Sequence, residues 1–155
     1  MRISRENLRS SPSCRNRSNG SRFPAFPPSA KLAVLVGDPT REGPYIIRVK
    51  VPAGVKLMPH RHPEDRVYTV LSGVFYVGLG DRFDAEQVNA YPPGTLLVLP
   101  GDTWHFHWAK SGEYVTQVTA IGPLGLEYND PDDDPRKVAP QWVDKLPIRN
   151  VRRTQ

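Results

Sequence analysis

The sequence predicts an all-β protein, an antiparallel sandwich or barrel, and three observations support this prediction. Short apolar runs recur between residues 31 and 122, and each is bounded by Gly, Pro or Asp. No helical pattern separates these runs, and several alternate between apolar and polar residues, which is typical of half-buried strands. The 155 residues include 17 Pro and 12 Gly, which favour short strands and tight turns over long helices.

The predicted strands follow one another closely along the chain. In order they are LAVLV (32–36), YIIRVKV (45–51), VKLM (55–58), RVYTVL (66–71), VFYVGL (74–79), TLLVL (95–99), WHFHW (104–108) and EYVTQVTAI (113–121). In the second strand, Tyr45, Ile47, Val49 and Val51 share one face, because side chains alternate along a strand. Turn sequences such as Ser-Gly at 72–73 separate the strands and allow antiparallel neighbours.

Composition divides the chain into three regions. Residues 1–30 are rich in Arg, Ser, Asn and Pro and are predicted to form a disordered arm, since they offer little apolar surface to bury. Residues 31–122 contain the predicted barrel. Residues 123–155 are predicted to be a C-terminal extension, mostly loop, with a short helix beginning at Pro140.

The net charge of +5 belongs to the arm. Residues 1–22 contain six Arg and one Glu, whereas residues 23–155 contain 15 basic and 15 acidic side chains. The barrel is therefore electrically balanced, and we expect no nucleic-acid partner, because the scattered arginines lack interleaved aromatic residues for base stacking.

Other classes of protein are excluded by simple features. No stretch approaches the roughly 18–20 consecutive apolar residues of a membrane span, so we expect no membrane association. Cys14 is the only cysteine, which excludes an intramolecular disulfide framework and a cysteine-based zinc site. The arm lacks the apolar stretch of a secretory signal, and we expect a cytoplasmic protein.

The histidines carry the strongest indication of chemistry. There are four, and they form two His-x-His pairs, His60 with His62 and His105 with His107. Residues two apart on a strand point to the same face, so each pair can present two imidazoles together. Neutral imidazole binds Zn, Fe, Cu and Ni. All four histidines are therefore predicted metal ligands.

The spacing around these histidines resembles a known family, the cupins. Residues 54–73, beginning GVKLMPHRH and ending at a Gly, are similar to the first cupin motif, and residues 94–105, GTLLVLPGDTWH, are similar to the second. The resemblance covers residues 31–122. It implies a jelly-roll barrel of two antiparallel sheets, often a homodimer, with a divalent metal held at the positions of His60, His62 and His105.

One departure from the cupin pattern concerns the metal ligands. The family's glutamate ligand falls at Arg66 or Val67, and neither side chain can bind a metal. Three interpretations stay open: three histidines with an open position, His107 as a fourth ligand, or a carboxylate from Glu64 or Asp65. We expect a divalent metal ion, with Fe, Mn, Zn, Ni and Cu all open as its identity.

The charges predict the kind of small molecule that binds. Three neutral imidazoles leave the +2 charge of a metal uncompensated, and an inward-facing Arg66 adds a second positive group, which favours an anion. In the alternative, Arg66 turns outward to a surface carboxylate such as Glu64. Strand alternation adds Tyr68, Tyr76 and Gln117 to Arg66 as predicted substrate-binding residues.

The same alternation places Trp104, Phe106 and Trp108 on the face opposite the histidines, where they are predicted to pack or to form a dimer surface.

The leading functional hypothesis is a metal-dependent, dioxygenase-like enzyme acting on a small organic acid or diketone-like substrate. The alternatives are a non-catalytic metal- or metabolite-binding module and a cupin that has lost its metal, with Arg66 marking the loss.

Overall fold

A computed structural model describes residues 20–137 of the chain. Eleven strands follow in order: β1 Ser21–Arg22, β2 Lys31–Val36, β3 Gly43–Val51, β4 Lys56–Arg61, β5 Arg66–Ser72, β6 Phe75–Leu79, β7 Val88–Tyr91, β8 Leu96–Leu99, β9 His105–Trp108, β10 Tyr114–Gly122 and β11 Glu127–Tyr128. A single 3-10 turn, Pro131–Asp133, is the only helical segment in this part of the chain. The prediction of an all-β protein is confirmed.

The strands form two antiparallel sheets that face each other. The larger sheet has the order β1-β2-β3-β10-β5-β8, and the smaller has the order β11-β4-β9-β6-β7. Each predicted strand is present, and β4 extends beyond the predicted VKLM run as far as Arg61. The sequence interpretation missed three strands: β1, β7 and β11. No helix among residues 20–137 is long and apolar enough to cross a bilayer.

Alternation of apolar and polar side chains explains how the larger sheet contributes to the core. On β3, the side chains of Tyr45, Ile47, Val49 and Val51 are buried, as the alternation predicts. The adjacent β10 pairs with β3 along its whole length and buries every second residue on the same side. A one-residue shift of this register would expose the apolar set, so the pattern fixes the pairing.

The predicted disorder of residues 1–30 is wrong for residues 20–30. β1 pairs with β2, and the segment that follows places Phe26 and Ala30 in the core. The reason is local: a Phe-Pro-Ala-Phe-Pro-Pro sequence at 23–28 supplies apolar surface that the polar average of the arm conceals. Residues 1–19 lie outside the described part of the chain.

The C-terminal extension also contributes to the barrel. β11 pairs with β4, which places Tyr128 opposite His60. The Tyr128 hydroxyl donates a hydrogen bond to the Ala25 carbonyl at 2.7 Å and so joins the two ends of the described chain. The sheets therefore extend past the predicted limits of 31 and 122. The helix predicted from Pro140 lies outside the described residues.

Replacing Phe26 tests whether this N-terminal segment is part of the folded barrel. The ring is 4% exposed and lies in the core, so Phe26→Ala should lower the free energy of unfolding by about 3–5 kcal/mol through lost burial and a cavity. Denaturant titration of full-length protein measures the change.

Ile121→Ala provides the control, because Ile121 is 64% exposed and the loss of its side chain should change stability by about 0.5 kcal/mol or less. Equal effects of the two substitutions would contradict the packing of residues 20–30.

Candidate metal centre

The four histidines lie together inside the barrel. His60 is near the end of β4, His62 follows that strand directly, and His105 and His107 are on β9. β4 and β9 are hydrogen-bonded neighbours, and His60 pairs with His105 across them. All four side chains are buried. The prediction that each His-x-His pair presents its rings to one side is borne out by their contacts.

Three of these histidines form a compact group. One ring nitrogen from each of His60, His62 and His105 lies within 4.8 Å of those of the other two. His107 is close by, with its ring centroid 5.2 Å from that of His60, but it is not part of that group. Of the open interpretations, the arrangement favours three histidines over four.

Backbone carbonyls fix the protonation of these three rings. The Nδ1 atom of each lies within hydrogen-bonding distance of one carbonyl oxygen: Met58 for His60 (2.6 Å), Gly125 for His62 (2.6 Å) and Thr103 for His105 (2.8 Å). A carbonyl can only accept, so Nδ1 carries the proton and Nε2 carries the lone pair. Metal-binding histidines are commonly oriented in this way.

The unpaired Nε2 atoms fit a metal ion. Those of His60, His105 and His107 are buried and have no hydrogen-bond partner among the described residues. A buried acceptor left without a partner costs free energy, which a bound cation would recover. A divalent metal is therefore well matched to the group, with His60 and His105 ready to bind it.

The Nε2 atom of His62 differs from those of His60 and His105, because it accepts a hydrogen bond from Arg66. The Arg66 side chain is 2% exposed, and its Nη1 lies 2.6 Å from His62 Nε2 and 3.3 Å from the Tyr68 hydroxyl. Its Nη2 donates to the Tyr45 hydroxyl at 3.4 Å. Arg66 therefore faces inward, one of the two orientations that the sequence left open.

Glu64 compensates the charge of Arg66 inside the barrel. The Glu64 Oε1 atom lies 3.5 Å from Arg66 Nε and accepts a hydrogen bond from the Tyr45 hydroxyl at 2.7 Å, while Oε2 accepts one from the Gly125 amide at 3.2 Å. Arg66 therefore faces inward and is paired there with Glu64, the carboxylate that the alternative interpretation placed at the surface. Glu64 is not part of the histidine group, and neither is Asp65, which accepts a hydrogen bond from the Gly101 amide.

Comparison with solved structures identifies the architecture. A cupin 2 conserved barrel domain protein from Rhodopseudomonas palustris superimposes with a TM-score of 0.54 at 18% identity, over 67% of this chain and 69% of that one. The chain has the cupin fold. The polyketide cyclase RemF from Streptomyces resistomycificus gives a TM-score of 0.62 at 17% identity, over 77% of this chain and 87% of that one.

A third similar structure is a recombinant oxalate oxidase in complex with glycolate, with a TM-score of 0.53 at 18% identity. That similarity covers 72% of this chain and 61% of the oxidase. No protein-family model matches the sequence, and no curated protein is similar to it. Identities this low show a shared cupin barrel and leave its activity to be argued from the residues.

The predicted substrate-binding residues are divided between the two faces of the cupin sheets. Arg66 and Tyr68 are buried in the interior, where the Tyr68 ring centroid lies 5.8 Å from that of His107. Gln117 lies on the other face of β10 and accepts a hydrogen bond from Arg48 Nε at 3.2 Å. Tyr76 is half-buried between two inward-facing neighbours on β6. The structure does not bring Gln117 and Tyr76 to the histidines.

The aromatic residues that alternate with the β9 histidines pack on the opposite side. Phe106 is fully buried, with its ring centroid 5.0 Å from that of Phe83, and Trp108 contacts the same ring at 5.8 Å. The Arg61 guanidinium lies 4.8 Å from the Trp104 ring centroid. These contacts support the predicted packing role.

The sequence interpretation missed several residues around the histidines. Tyr45 and Glu64 complete the surroundings of Arg66, and Phe26 reaches the interior from the N-terminal segment. The cavity beside the histidines has a volume of about 10 Å³, which is room for about one water molecule. Alternation along β3 predicts that Tyr45 faces inward, but it does not predict the hydrogen bond from Tyr45 to Glu64.

Burial keeps the site histidines neutral. It lowers the pKa of His60, His62 and His107 well below the ordinary value of 6.5, and the positive charge of Arg66 acts in the same direction. Burial also lowers the pKa of His105 to about 4. Neutral imidazole is the form that binds metals, so the site is ready for a cation at neutral pH.

These shifts predict acid sensitivity of the metal-free protein. In the unfolded chain the histidines take up protons near pH 6.5, whereas in the folded barrel they do so only at lower pH, so stability falls as the pH drops from 6.5 towards 4. His105 alone would account for about 3 kcal/mol of this loss. Urea titrations of chelator-treated protein at several pH values measure it.

A His105→Gln variant is the control, since it removes one titrating group and should reduce the dependence of stability on pH. A free energy of unfolding that is constant from pH 6.5 to 4, or that rises on acidification, would contradict the burial of neutral histidines.

Proposed function

We propose that this cupin barrel is a metal-dependent enzyme acting on a small organic acid or diketone-like substrate. The observation that carries the proposal is the buried group of His60, His62 and His105, in which two Nε2 atoms lack a partner. Nitrogen ligands of this kind suit Fe, Mn, Zn, Ni or Cu. The proposal also draws on the enzymes among the similar structures, one of which holds the organic acid glycolate.

The metal and the residues around the histidines would have different roles in such a reaction. A divalent metal held there would supply Lewis-acid activation and, if redox-active, oxidation of the dioxygenase type. The three neutral imidazoles leave the charge of the metal available to an anionic substrate. Tyr68 would orient such a substrate as a hydrogen-bond donor, because burial raises the pKa of its hydroxyl and keeps it protonated. The apolar side chains of Phe26, Leu57 and Val118 would exclude water.

The small volume of the interior favours a second candidate function. A cavity of about 10 Å³ accommodates one water molecule but not an organic acid unless side chains move. A protein that binds metal as a sensor or store needs no larger space. This candidate shares the histidine group with the enzyme and differs from it in having no turnover.

We also propose that the protein forms a homodimer in the cytoplasm. Leu96 and Val98 are exposed on β8, which is the edge strand of the larger sheet. Exposed apolar residues on an edge strand favour pairing with another chain. A second copy of the barrel would cover them.

Metal analysis of full-length protein, purified without a histidine tag and reconstituted, tests the site. We expect about one metal ion per chain in the wild type and less than about a tenth of that in His60→Ala and His105→Ala, because each loses a ligand. Inductively coupled plasma mass spectrometry gives the ratio. Gln117→Ala is the matched control and should retain the metal, since Gln117 lies on the other face of its strand.

Failure to bind any of Fe, Mn, Zn, Ni and Cu would overturn the proposed site. For the loaded protein, oxygen consumption and product formation with a panel of small acids and diketones separate the two candidate functions. Turnover that His60→Ala lacks supports the enzyme, and metal binding without turnover supports the binding module.

A further inference from the structure

We infer that Arg66 and the metal compete for the same atom, Nε2 of His62, so that Arg66 sets the metal affinity of the barrel. This inference rests on the proposed metal site and adds a positioning residue to it. In the metal-free protein the Arg66 guanidinium donates a hydrogen bond to the Nε2 atom of His62, where a metal would otherwise bind. Metal binding then requires that Arg66 withdraw towards Glu64.

The competition follows from the hydrogen bonds of His62. Its Nδ1 atom is 2.6 Å from the Gly125 carbonyl, which holds the proton on that nitrogen. A neutral imidazole then has a single lone pair, on Nε2, and Arg66 Nη1 lies 2.6 Å from it. That lone pair cannot bind a metal and accept from a guanidinium at the same time. His60 and His105 carry no such bond, because their Nε2 atoms have no hydrogen-bond partner within residues 20–137.

The surroundings of Arg66 give it a second place to bind. Its Nε atom is buried and makes no hydrogen bond to any residue that the structure describes, yet Glu64 Oε1 lies only 3.5 Å away. The Tyr45 hydroxyl is 3.4 Å from Nη2 and is bonded to the same carboxylate at 2.7 Å. A guanidinium released from His62 can therefore exchange a bond to imidazole for a stronger, charge-assisted bond to Glu64.

The carboxylate of Glu64 is needed to offset positive charge when a metal binds beside Arg66. A guanidinium and a divalent metal within the same small interior repel each other, and the repulsion is large because the surroundings are poor in water. Glu64 offsets one of these positive charges. Arg66 is then expected to weaken metal binding, and Glu64 to strengthen it while Arg66 is present.

Zinc titration of metal-free, full-length variants tests the competition, with dissociation constants measured by isothermal calorimetry. Arg66→Gln should bind Zn²⁺ about tenfold more tightly or better than the wild type, because it replaces the competing guanidinium and its positive charge with a shorter, neutral amide. Arg61→Gln is the matched control: this arginine lies on β4 near the site but is bonded to Glu127 at the surface. Its affinity should stay within about twofold of the wild type.

A double variant, Arg66→Gln with Glu64→Gln, separates competition from a simpler effect. If the gain in Arg66→Gln arose because Glu64 became a ligand, the gain would disappear in the double variant. Competition predicts that it persists. The double variant also keeps a neutral pair in the interior, so the test holds even where Arg66→Gln alone fails to fold because Glu64 is left unpaired.

Nitrogen-15 spectra of the metal-free protein provide a measurement that does not depend on zinc. The double variant should shift the Nε2 resonance of His62 and leave that of His60 nearly unchanged. Unchanged or weaker zinc affinity in both Arg66 variants, with a wild type that binds zinc, would overturn the competition alone. Absence of zinc binding in every variant and in the wild type would overturn the metal site itself.

Discussion

The burial of one arginine constrains the interior of this barrel more than any other feature. A charge taken out of water costs several kcal/mol unless it is paired and hydrogen-bonded, and Arg66 is almost completely buried. Glu64 and the Tyr68 hydroxyl meet this need from two residues away on either side of Arg66, and the Tyr45 hydroxyl meets it from β3. These partners fix how β3 and β5 present their side chains beside the histidines.

The segment between β10 and β11 joins this ion pair to the candidate ligands. Gly125 accepts a hydrogen bond from His62 through its carbonyl and donates one to Glu64 through its amide. A side chain at Gly125 would collide with Pro63, so the close approach depends on glycine. One residue of the C-terminal extension thus orients a predicted metal ligand and the carboxylate that neutralises Arg66. The extension contributes to the site as well as covering the barrel.

The extent to which the sequence predicts this structure depends on the range of each interaction. Alternation within one strand predicted the buried face of β3, and motif spacing predicted that His60, His62 and His105 meet. Alternation within one strand does not predict which side chains of the next strand face inward, because the turn between them can shift the pattern. For this reason the predicted position of Gln117 is on the wrong face of β10. Average composition concealed Phe26, since two aromatic residues among prolines suffice to anchor a short segment. The pairing of Arg66 with Glu64 in the interior depends on a turn geometry that the sequence leaves open.

The position of Arg66 changes how the proposed metal site would attract an anion. Where a cupin places a glutamate on the metal, that carboxylate would reduce the charge of the centre by one. Here Glu64 neutralises Arg66 instead, and the three imidazoles are neutral because burial lowers the pKa of each. The pair of Arg66 and Glu64 contributes no net charge, so the full charge of a bound divalent metal would remain for an incoming anion. The proposed preference for an anion would then rest on the neutral imidazoles and the missing glutamate ligand, and not on Arg66.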